Sequence, residues 1–597
     1  MLPHIPNHLI LLTAFLAFLT EAQDSSYKPT CKSYPGTADW PSAAEWARLG
    51  ESLGGFDGGG GGRLLRPSPP GAVCHPGQDA YNETACADVE ARWNSYELHV
   101  DDPVSVVWSN FANDSCLPDP AYLCSGDGYP AYVVNATEPE HVKIGIDFAR
   151  KNHVRLIVKS TGHDYLGRSI APGSLSIWVH HMTGIEYHAD EFKLAGSDIT
   201  IPGGAVTAGG GTEMYDLYKA TAEHGQAIVG GTAKTVSVGG YATGGGHSLL
   251  APRFGLAADN VLQMEVVTPL GEILTLNEAQ NADLFWAMRG GGGSTFGVLT
   301  SITFATHPSP PITHTAWAML TEPRSPIIPD LAAYFLSNVP SLEKAGLAGY
   351  ALINSHMPNP VSSPGLPPNA AGVIGISLMQ DDTDREEVNR IWTSINQTVM
   401  ERWPNVTFAK ITTEYPSWLD FYDKNYDMNK GGINKLLASR LLDEKALTGD
   451  LEALAGAVKT ATDNVGGMYA FLVSGKGVHN AKPRGGDDAV HPAWRTAYIH
   501  AITAVGWTSF NETSKSEAEK SIYDSVEGFR QLTPGGGSYL NEGLSYEEDW
   551  QHTFWGTNYE RLLKIKKTVD PDDVFWCQPC VGNEGWKQRS DGQLCRV

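Results

Sequence analysis

Positive charge is scarce in this chain, and so are long apolar runs. Its 597 residues carry 43 lysines and arginines against 67 aspartates and glutamates, a formal net charge of −24. Nucleic acids and anionic membranes select basic surfaces, so this balance excludes both as expected partners. Beyond residue 19, no segment is long and apolar enough to cross a bilayer. The sequence therefore predicts neither a nucleic-acid-binding protein nor a membrane protein.

The only long apolar run lies at residues 9–19 and is followed by the small-residue stretch Thr20-Glu21-Ala22. This pattern is typical of a secretory signal peptide, here over residues 1–22. Apolar residues make up 42% of the chain, enough to build real cores, and its length predicts more than one domain. Six glycosylation sequons beside a signal predict a secreted, extracellular glycoprotein; they lie at Asn82, Asn113, Asn135, Asn396, Asn405 and Asn511.

Cysteine is limited to eight residues, an even number that should pair in an oxidising compartment. Five of the cysteines precede residue 125 and three follow residue 576. At least one disulfide must therefore join the two ends of the chain if all of them pair within it. The Cys577-x-x-Cys580 spacing also occurs in zinc and redox motifs, but no second ligand pair lies nearby, so we expect a disulfide there.

Two common nucleotide-binding motifs are absent from the glycine-rich stretch at residues 230–248. It contains neither the P-loop pattern nor a G-x-G-x-x-G that opens a helix. Seven of its nineteen residues are glycine, a density that predicts irregular backbone close to a large ligand, and neither a helix nor an ordinary strand. A flexible linker is the alternative, but the interleaved Val236, Val238 and Tyr241 favour a buried segment.

A polar loop begins where the apolar run at residues 154–158 ends, which predicts a strand that leads into a ligand loop. In sequence order this is the first loop, and the glycine-rich stretch at residues 230–248 is the second. Gly162 lets the backbone approach a ligand, and the hydroxyls of Ser160 and Thr161 can donate hydrogen bonds to phosphate oxygens. His163 stands where an imidazole would meet the bound molecule. Alone, a histidine in such a loop is more often a structural residue.

Together the two loops resemble the flavin-binding domain of the vanillyl-alcohol oxidase superfamily, in particular the berberine-bridge-enzyme-like FAD oxidases and their secreted fungal, isoamyl-alcohol-oxidase-like branch. In that family the Gly-His of the first loop carries FAD through an 8α-histidyl bond, which corresponds to Gly162-His163. The Cys-Pro-Thr-Val of the second loop aligns with Ala233-Lys234-Thr235-Val236. Because Ala233 replaces the cysteine that forms a second link, the resemblance implies attachment through His163 alone.

The resemblance is strong over residues 127–310 and good over residues 535–582. It implies an α+β fold, with a two-part PCMH-type FAD-binding domain and an α+β substrate domain packed over the flavin. We expect a disulfide-rich N-terminal extension at residues 23–125, the FAD-binding domain at 126–308, the substrate domain at 309–535, and a berberine-bridge-like segment at 536–597 that returns to the FAD domain.

The family also implies roles for individual residues. The tyrosine of its Tyr-x-Asn motif takes the proton of the substrate hydroxyl, which implies catalytic roles for Tyr539 and Asn541. Valine at position 236 is associated in the family with oxidases, and leucine there with dehydrogenases. Cofactor contacts are implied for His163, Lys159, Ser160, Thr161, Gly162, Asp164, Ser169, Gly231, Thr235, Val236, Gly239, Gly240, Gly244, Gly246, His247, Gly255, Asp259, Val267 and Asn558.

The expected function is that of a monomeric, secreted FAD oxidase without a metal. It would transfer hydride from an alcohol or hydroxyl-bearing small molecule to covalent FAD, which O2 would reoxidise to give H2O2. Two alternatives stay open. One is a secondary-metabolite oxidoreductase that performs oxidative cyclisation or desaturation on the same flavin, and the other is a non-catalytic glycoprotein on a flavin fold.

Overall fold

The computed structural model describes residues 30–55, 62–361 and 367–597, so the predicted signal peptide lies outside the described residues. Within these ranges no helix combines the length and apolar character that a bilayer crossing requires. Two sheets belong to the part of the chain that holds the two polar loops. In spatial order, the strands of the first are Leu64–Leu65, Tyr132–Asn135, Leu175–Trp178 and Leu156–Lys159, and those of the second are Ile273–Leu276, Val261–Val267, Val298–Ala305, Ala205–Gly209 and Ile185–His188.

A strand, a helix and a second strand deliver the chain to the first loop, as the apolar spacing predicts. The helix Pro139–Lys151 begins with proline, which suits the first turn, and it buries Val142, Ile146 and Ala149 at helical spacing. The strand Leu156–Lys159 then runs parallel to Leu175–Trp178. This arrangement places the first loop at the carboxyl end of a buried parallel strand, where ligands commonly bind.

The glycine-rich stretch differs from the expectation in one respect, because residues Val238–Thr243 form a short helix. A Cβ on Gly239 would lie 2.8 Å from the carbonyl oxygen of Gly210, so glycine there permits close backbone packing. Val238, Tyr241 and Ala242 are buried, at a spacing that suits a helix. Glycine density alone therefore misled the prediction, since the buried residues between the glycines stabilise a turn and a half.

The other helices around these two sheets are short. They are Met214–Ala222, Ala251–Phe254 and Ala282–Met288, while the short strands Gln226–Ala227 and His307–Pro308 pair with each other, as do Glu191–Lys193 and Thr200–Pro202.

An antiparallel seven-stranded sheet dominates the region that follows. Its two faces differ: Tyr469 and Phe471 line a cavity, whereas Met468 and Ala470 pack into the apolar core beneath the helices. This alternation is that of a strand with one face buried in the core and the other facing the cavity. The strands, in spatial order, are Thr407–Tyr415, Ile312–Thr321, Asn369–Met379, Ala348–Pro358, Gly467–Leu472, Ala497–Val505 and Leu436–Asp443.

Helices cover the core face of this sheet and fill the connections. The helices Ile328–Lys344 and Leu451–Val465 contribute nine of the 22 buried leucines and alanines of that core. The remaining helices are Arg385–Arg402, Trp418–Asn425, Glu444–Thr448, Gly475–His479, Glu512–Ser525 and Glu527–Leu532.

The two ends of the chain pack together, as the cysteine distribution predicts. A disulfide joins Cys31 to Cys595 across 564 residues of sequence, and a second joins Cys577 to Cys580. Both predictions, a bridge between the termini and a disulfide at the Cys-x-x-Cys spacing, are confirmed. The other two bridges, Cys74–Cys86 and Cys116–Cys124, lie within the N-terminal segment, whose helices are Ala43–Ser52, Glu83–Arg92 and Tyr96–Asp101.

The C-terminal segment packs against the two sheets that hold the polar loops. Its helices are Trp550–Trp555 and Tyr559–Val569, and its last strands Trp586–Gln588 and Leu594–Arg596 pair with each other. Lys566 donates hydrogen bonds to the Thr295 carbonyl and to the buried Asp570. Phe575 pairs with Leu156, the first residue of the strand that leads to the first loop. The end of the chain thus supports the strand on which the first loop depends.

Candidate active site

The two polar loops meet side by side. The imidazole Nε2 of His163 lies 2.8 Å from the hydroxyl of Thr235, and the amide of Ser237 donates a 3.4 Å hydrogen bond to the hydroxyl of Thr161. Between the loops runs a cleft lined mainly by backbone and small side chains. Of the predicted cofactor residues, the cleft is lined by Ser160, Thr161, Gly162, His163, Asp164, Ser169, Gly231, Val236, Gly239, Gly240 and His247.

The N-terminal segment fixes the position of His163. The indole Nε1 of Trp108 donates to the His163 carbonyl at 3.1 Å, and the ring of Tyr96 meets the imidazole edge-on at 4.8 Å. Burial, with a smaller effect from the charge of Lys159, lowers the pKa of His163 to about 3. The imidazole is therefore neutral at physiological pH, the form in which a ring nitrogen can act as a nucleophile.

Along the cleft, a chain of polar contacts runs from Arg168 to Tyr539. Arg168 pairs with Asp164 and donates a 3.0 Å hydrogen bond to the Asn541 side-chain oxygen. Asn541 in turn donates to the hydroxyl of Tyr539 at 2.9 Å, and the backbone amide of Gly246 donates to the same oxygen at 3.1 Å. The two predicted catalytic residues thus lie in contact, and both line the cleft.

The environment of Tyr539 favours a neutral phenol. Burial, and next the charge of Glu542, raise its pKa above the ordinary value, and the opposing effects of Asn541, Gly246 and Arg168 are smaller. A neutral phenol oxygen has two lone pairs, and two N–H donors already occupy them. In this state Tyr539 can donate its own proton to a ligand but cannot accept another. Its predicted role as a base remains a prediction, and the geometry favours hydrogen-bond donation.

A second, larger cavity of about 760 Å³ adjoins the cleft. Its walls are mostly apolar side chains from the seven-stranded sheet, among them Leu352, Ile374, Ile376, Leu437 and Ile502. The cleft and the cavity share a group of polar residues at their junction, namely Tyr165, Thr232, His247, Asp427 and Glu542. An apolar cavity with a few convergent polar groups is the usual form of a small-molecule site.

Two histidines flank a carboxylate at this junction. His247 Nε2 lies 3.1 Å from one carboxylate oxygen of Glu542, and His500 Nδ1 lies 3.6 Å from the other. Burial lowers the pKa of His500 to about 3. Burial alone would raise the pKa of Glu542, but its interactions with His247, His500 and Lys435 outweigh burial and lower that pKa. Glu542 is therefore ionised at neutral pH.

Several predicted cofactor residues have protein partners away from the cleft. Lys159 donates to three backbone carbonyls, including that of Asp102 at 2.6 Å. Asp259 forms an ion pair with Arg495, and Asn558 donates to the Val490 carbonyl. A direct cofactor contact stays a prediction for all the residues named for it, including those that do not line the cleft, namely Lys159, Thr235, Gly244, Gly246, Gly255, Asp259, Val267 and Asn558.

Sequence reasoning missed four charged or titratable residues of the site: Glu542, His500, Arg168 and Lys435. For Glu542 a signal was present, because it directly follows the Tyr-x-Asn motif. Arg168 lies within the first loop and pairs with a predicted residue. For His500 the signal is a single imidazole in the apolar strand Ala497–Val505, and only the assembled sheet shows which group it faces.

The chain is similar in sequence to known families and proteins. Residues 130–277 match the family described as FAD binding domain, and residues 538–582 match the family described as berberine and berberine like. The chain is 33% identical over 578 residues to the FAD-linked oxidoreductase patO of Aspergillus clavatus, with 95% of each chain covered. It is 32% identical to the VAO-type flavoprotein oxidase VAO615 of Thermothelomyces thermophilus, with 96% of each covered.

Solved structures show the same similarity. The crystal structure of VAO-type flavoprotein MtVAO615 from Myceliophthora thermophila superposes with a TM-score of 0.81 at 30% identity, covering 95% of this chain and all of that one. A chitooligosaccharide oxidase superposes with a TM-score of 0.59 at 18% identity over 76% of this chain, which shows a shared fold alone.

Proposed function

Because the chain belongs to the FAD-linked oxidoreductases of the vanillyl-alcohol oxidase and berberine-bridge type, we propose that it is a secreted oxidase of hydroxyl-bearing small molecules. In this proposal bound FAD would supply the acceptor for hydride from a CH–OH group, and O2 would reoxidise the flavin with release of H2O2. The fold is of the PCMH type with mixed α and β structure. Its substrate region is the seven-stranded sheet with its covering helices.

One observation carries the proposal: the loop-lined cleft and the apolar cavity share the lining residues Tyr165, His247 and Glu542. A molecule in the cavity and one in the cleft therefore contact the same side chains. Proximity of this kind supplies much of the rate of a two-reactant step, because the reactants are already oriented.

The residues of the cleft fit a flavin nucleotide. Gly240 lines it, and a Cβ built there would meet no atom within 4 Å, so backbone faces open space that a ligand ring or phosphate can occupy. Arg168 keeps one guanidinium nitrogen buried without a partner among the described residues, a donor that suits an anionic or carbonyl group. His163 is the proposed point of covalent attachment, and Ala233, which lines the cleft, offers no thiol for a second bond.

Bound FAD supplies a two-electron acceptor, and the chemistry left to the protein is binding, orientation and proton transfer. We assign Tyr539 to donate a hydrogen bond to the substrate hydroxyl oxygen, because both lone pairs of its phenol are already engaged. Asn541 holds the phenol in place and is itself held by Arg168. The apolar walls exclude water from the carbon that reacts.

The test is a substrate screen on the purified, glycosylated protein. Hydroxylated compounds that fill an apolar cavity should bleach the flavin without oxygen and yield one equivalent of H2O2 in air, with an aldehyde or ketone as product. A bleached flavin with a ring-closed or desaturated product would instead establish the secondary-metabolite alternative. A yellow protein that no compound in the screen reduces would favour a non-catalytic glycoprotein.

A further inference from the structure

Three distant parts of the chain bring His247, His500 and Glu542 together. His247 ends the glycine-rich loop, His500 lies in the strand Ala497–Val505, and Glu542 lies in the turn Leu540–Glu542 that follows Tyr539. One atom of each side chain lies within 4.8 Å of one atom of each of the others. The carboxylate therefore sits between two imidazoles at the place where the cleft joins the cavity.

The polar atoms of this cluster are incompletely satisfied. His500 is fully buried, and neither of its ring nitrogens has a hydrogen-bond partner among the described residues. One carboxylate oxygen of Glu542 and the Nδ1 atom of His247 also lack a partner there. Buried polar atoms without a partner are costly and concentrate at functional sites. Glu542 lines both spaces and keeps 21% of its side-chain surface exposed, so a ligand hydroxyl in the cavity can donate to its carboxylate.

We propose that Glu542 is the proton acceptor for the substrate hydroxyl, with His247 as its hydrogen-bond partner and His500 as a positioning residue behind it. This inference rests on the proposed oxidation of a CH–OH group. Tyr539 and Glu542 then both bind the substrate hydroxyl: the phenol donates a hydrogen bond to its oxygen, and the carboxylate accepts one from its O–H.

The step balances as follows. The O–H bond of the substrate breaks and its proton forms a new bond to a Glu542 carboxylate oxygen. The electron pair left on oxygen becomes the second bond of the carbonyl, and the hydrogen on carbon leaves with its pair as hydride. Bound FAD would supply the acceptor for this hydride, so the substrate loses a proton to Glu542 and a hydride, which is one hydrogen with two electrons.

The charges around Glu542 keep it ionised until substrate binds. Lys435 contributes a positive charge from the cavity wall and stacks over Trp108 at 4.9 Å. The carboxylate of Asp427 carries like charge and opposes the ionisation of Glu542. Burial raises the pKa of Asp427, so this opposition is weakened. The titratable and charged groups that interact with Glu542 are His247, His500, Lys435, Asp427, Tyr165, Tyr241, Tyr350 and Tyr539.

The first experiment compares Glu542→Gln with a matched control. Glutamine keeps the shape and the hydrogen bond to His247 but removes the proton acceptor. Anaerobic flavin reduction in stopped flow should fall by about 10²–10⁴, the usual contribution of a general base. The control is Glu343→Gln, a fully buried carboxyl without side-chain partners that lines neither space, and its reduction rate should equal that of the wild type.

Two readouts that do not depend on turnover accompany this comparison. Flavin content per polypeptide should stay unchanged in Glu542→Gln, and the Kd of the non-oxidisable methyl ether of the substrate, measured by flavin absorbance, should change less than threefold. A loss of flavin or of ligand binding that accounts for the slower reduction would assign Glu542 a structural role and overturn the inference.

The second experiment tests His500 through the pH profile. Reduction should fall as pH drops through the pKa of Glu542, which lies below its ordinary value of 4.5. His500→Leu removes an interaction that lowers this pKa, so the acidic limb should move to higher pH. His500→Gln restores a side-chain donor and should move the limb back. An unchanged limb in His500→Leu would show that His500 only packs.

The failures of the two proposals are distinguishable. If no hydroxylated compound reduces the wild type, the proposed function fails. If the wild type is reduced and Glu542→Gln is reduced within threefold of its rate, Glu542 is not the acceptor.

Two imidazoles and a carboxylate also form a donor set that zinc accepts. Stoichiometric zinc in the purified wild type, lost in Glu542→Gln, would overturn the proton-acceptor role as well.

Discussion

The hydroxyl of Thr235 lies 2.8 Å from the Nε2 atom of His163, although 72 residues separate the two in sequence. His163 belongs to the first loop and Thr235 to the second, so this contact joins the two loops. In the tautomer in which Nε2 donates its proton to the Thr235 hydroxyl, Nδ1 keeps its lone pair free for bond formation. The relationship therefore connects the fold to the proposed covalent attachment.

We predict that His163 carries the flavin through a single covalent bond. A denaturing gel under ultraviolet light should show a fluorescent band for the wild type and none for His163→Ala. Thr235→Val keeps the shape of the side chain and removes its hydroxyl, so flavin should still bind while covalent incorporation slows. Fluorescence that persists in His163→Ala would contradict the assignment, and a second attachment site would then have to be sought.

Oxygen access should depend on Val236, which lines the cleft. Interiors are packed closely enough that one additional methylene closes a small path. We expect Val236→Leu to slow reoxidation of the reduced flavin by air and to leave reduction by substrate nearly unchanged. Val236→Ala is the matched control and should reoxidise at least as fast as the wild type. Equal reoxidation rates for all three proteins in stopped flow would remove this residue as the gate.

Local patterns predicted much of the flavin-loop part of the fold. The spacing of Val142, Ile146 and Ala149 gives the helix Pro139–Lys151, and the apolar run of residues 261–267 gives the strand Val261–Val267. The order of the seven-stranded sheet was not predictable, because neighbouring strands such as Ile312–Thr321 and Asn369–Met379 are separated by the strand Ala348–Pro358 in sequence. Antiparallel pairing over such distances leaves no periodic signal.

The site was predictable where a motif names its residues and not where tertiary packing creates the environment. The two loops and the Tyr-x-Asn motif supplied His163, Tyr539 and Asn541, and the structure brings all three to one cleft. His500 could not be found in this way, since a buried histidine in a strand matters here only because Glu542 faces it. The raised pKa of Tyr539 likewise depends on burial, which no motif specifies.

The disulfide between Cys31 and Cys595 should contribute measurably to stability. It closes a loop of 564 residues, and cross-links that close long loops reduce the entropy of the unfolded chain most. Replacing both cysteines by serine should lower the free energy of unfolding by about 2–5 kcal/mol and lower the Tm. The matched control is the Cys74–Cys86 pair, which closes only 12 residues and should cost less. Non-reducing peptide mapping that finds no Cys31–Cys595 peptide would refute the connectivity.

The last prediction separates two roles for Tyr539. Its phenol accepts hydrogen bonds from Gly246 and Asn541, and its raised pKa keeps it protonated, so we expect it to donate to the substrate oxygen. Tyr539→Phe removes this hydrogen bond to the substrate, worth about 1 kcal/mol, together with the two bonds that the phenol accepts, and should slow flavin reduction roughly 3–10-fold without moving the acidic limb of the pH profile. If Tyr539 were instead the base, the same change would cost about 10²–10⁴. Anaerobic stopped-flow reduction, normalised to bound flavin and run beside Glu542→Gln, gives the answer. A loss above 100-fold in Tyr539→Phe, with a loss below threefold in Glu542→Gln, would show that Tyr539 and not Glu542 accepts the proton.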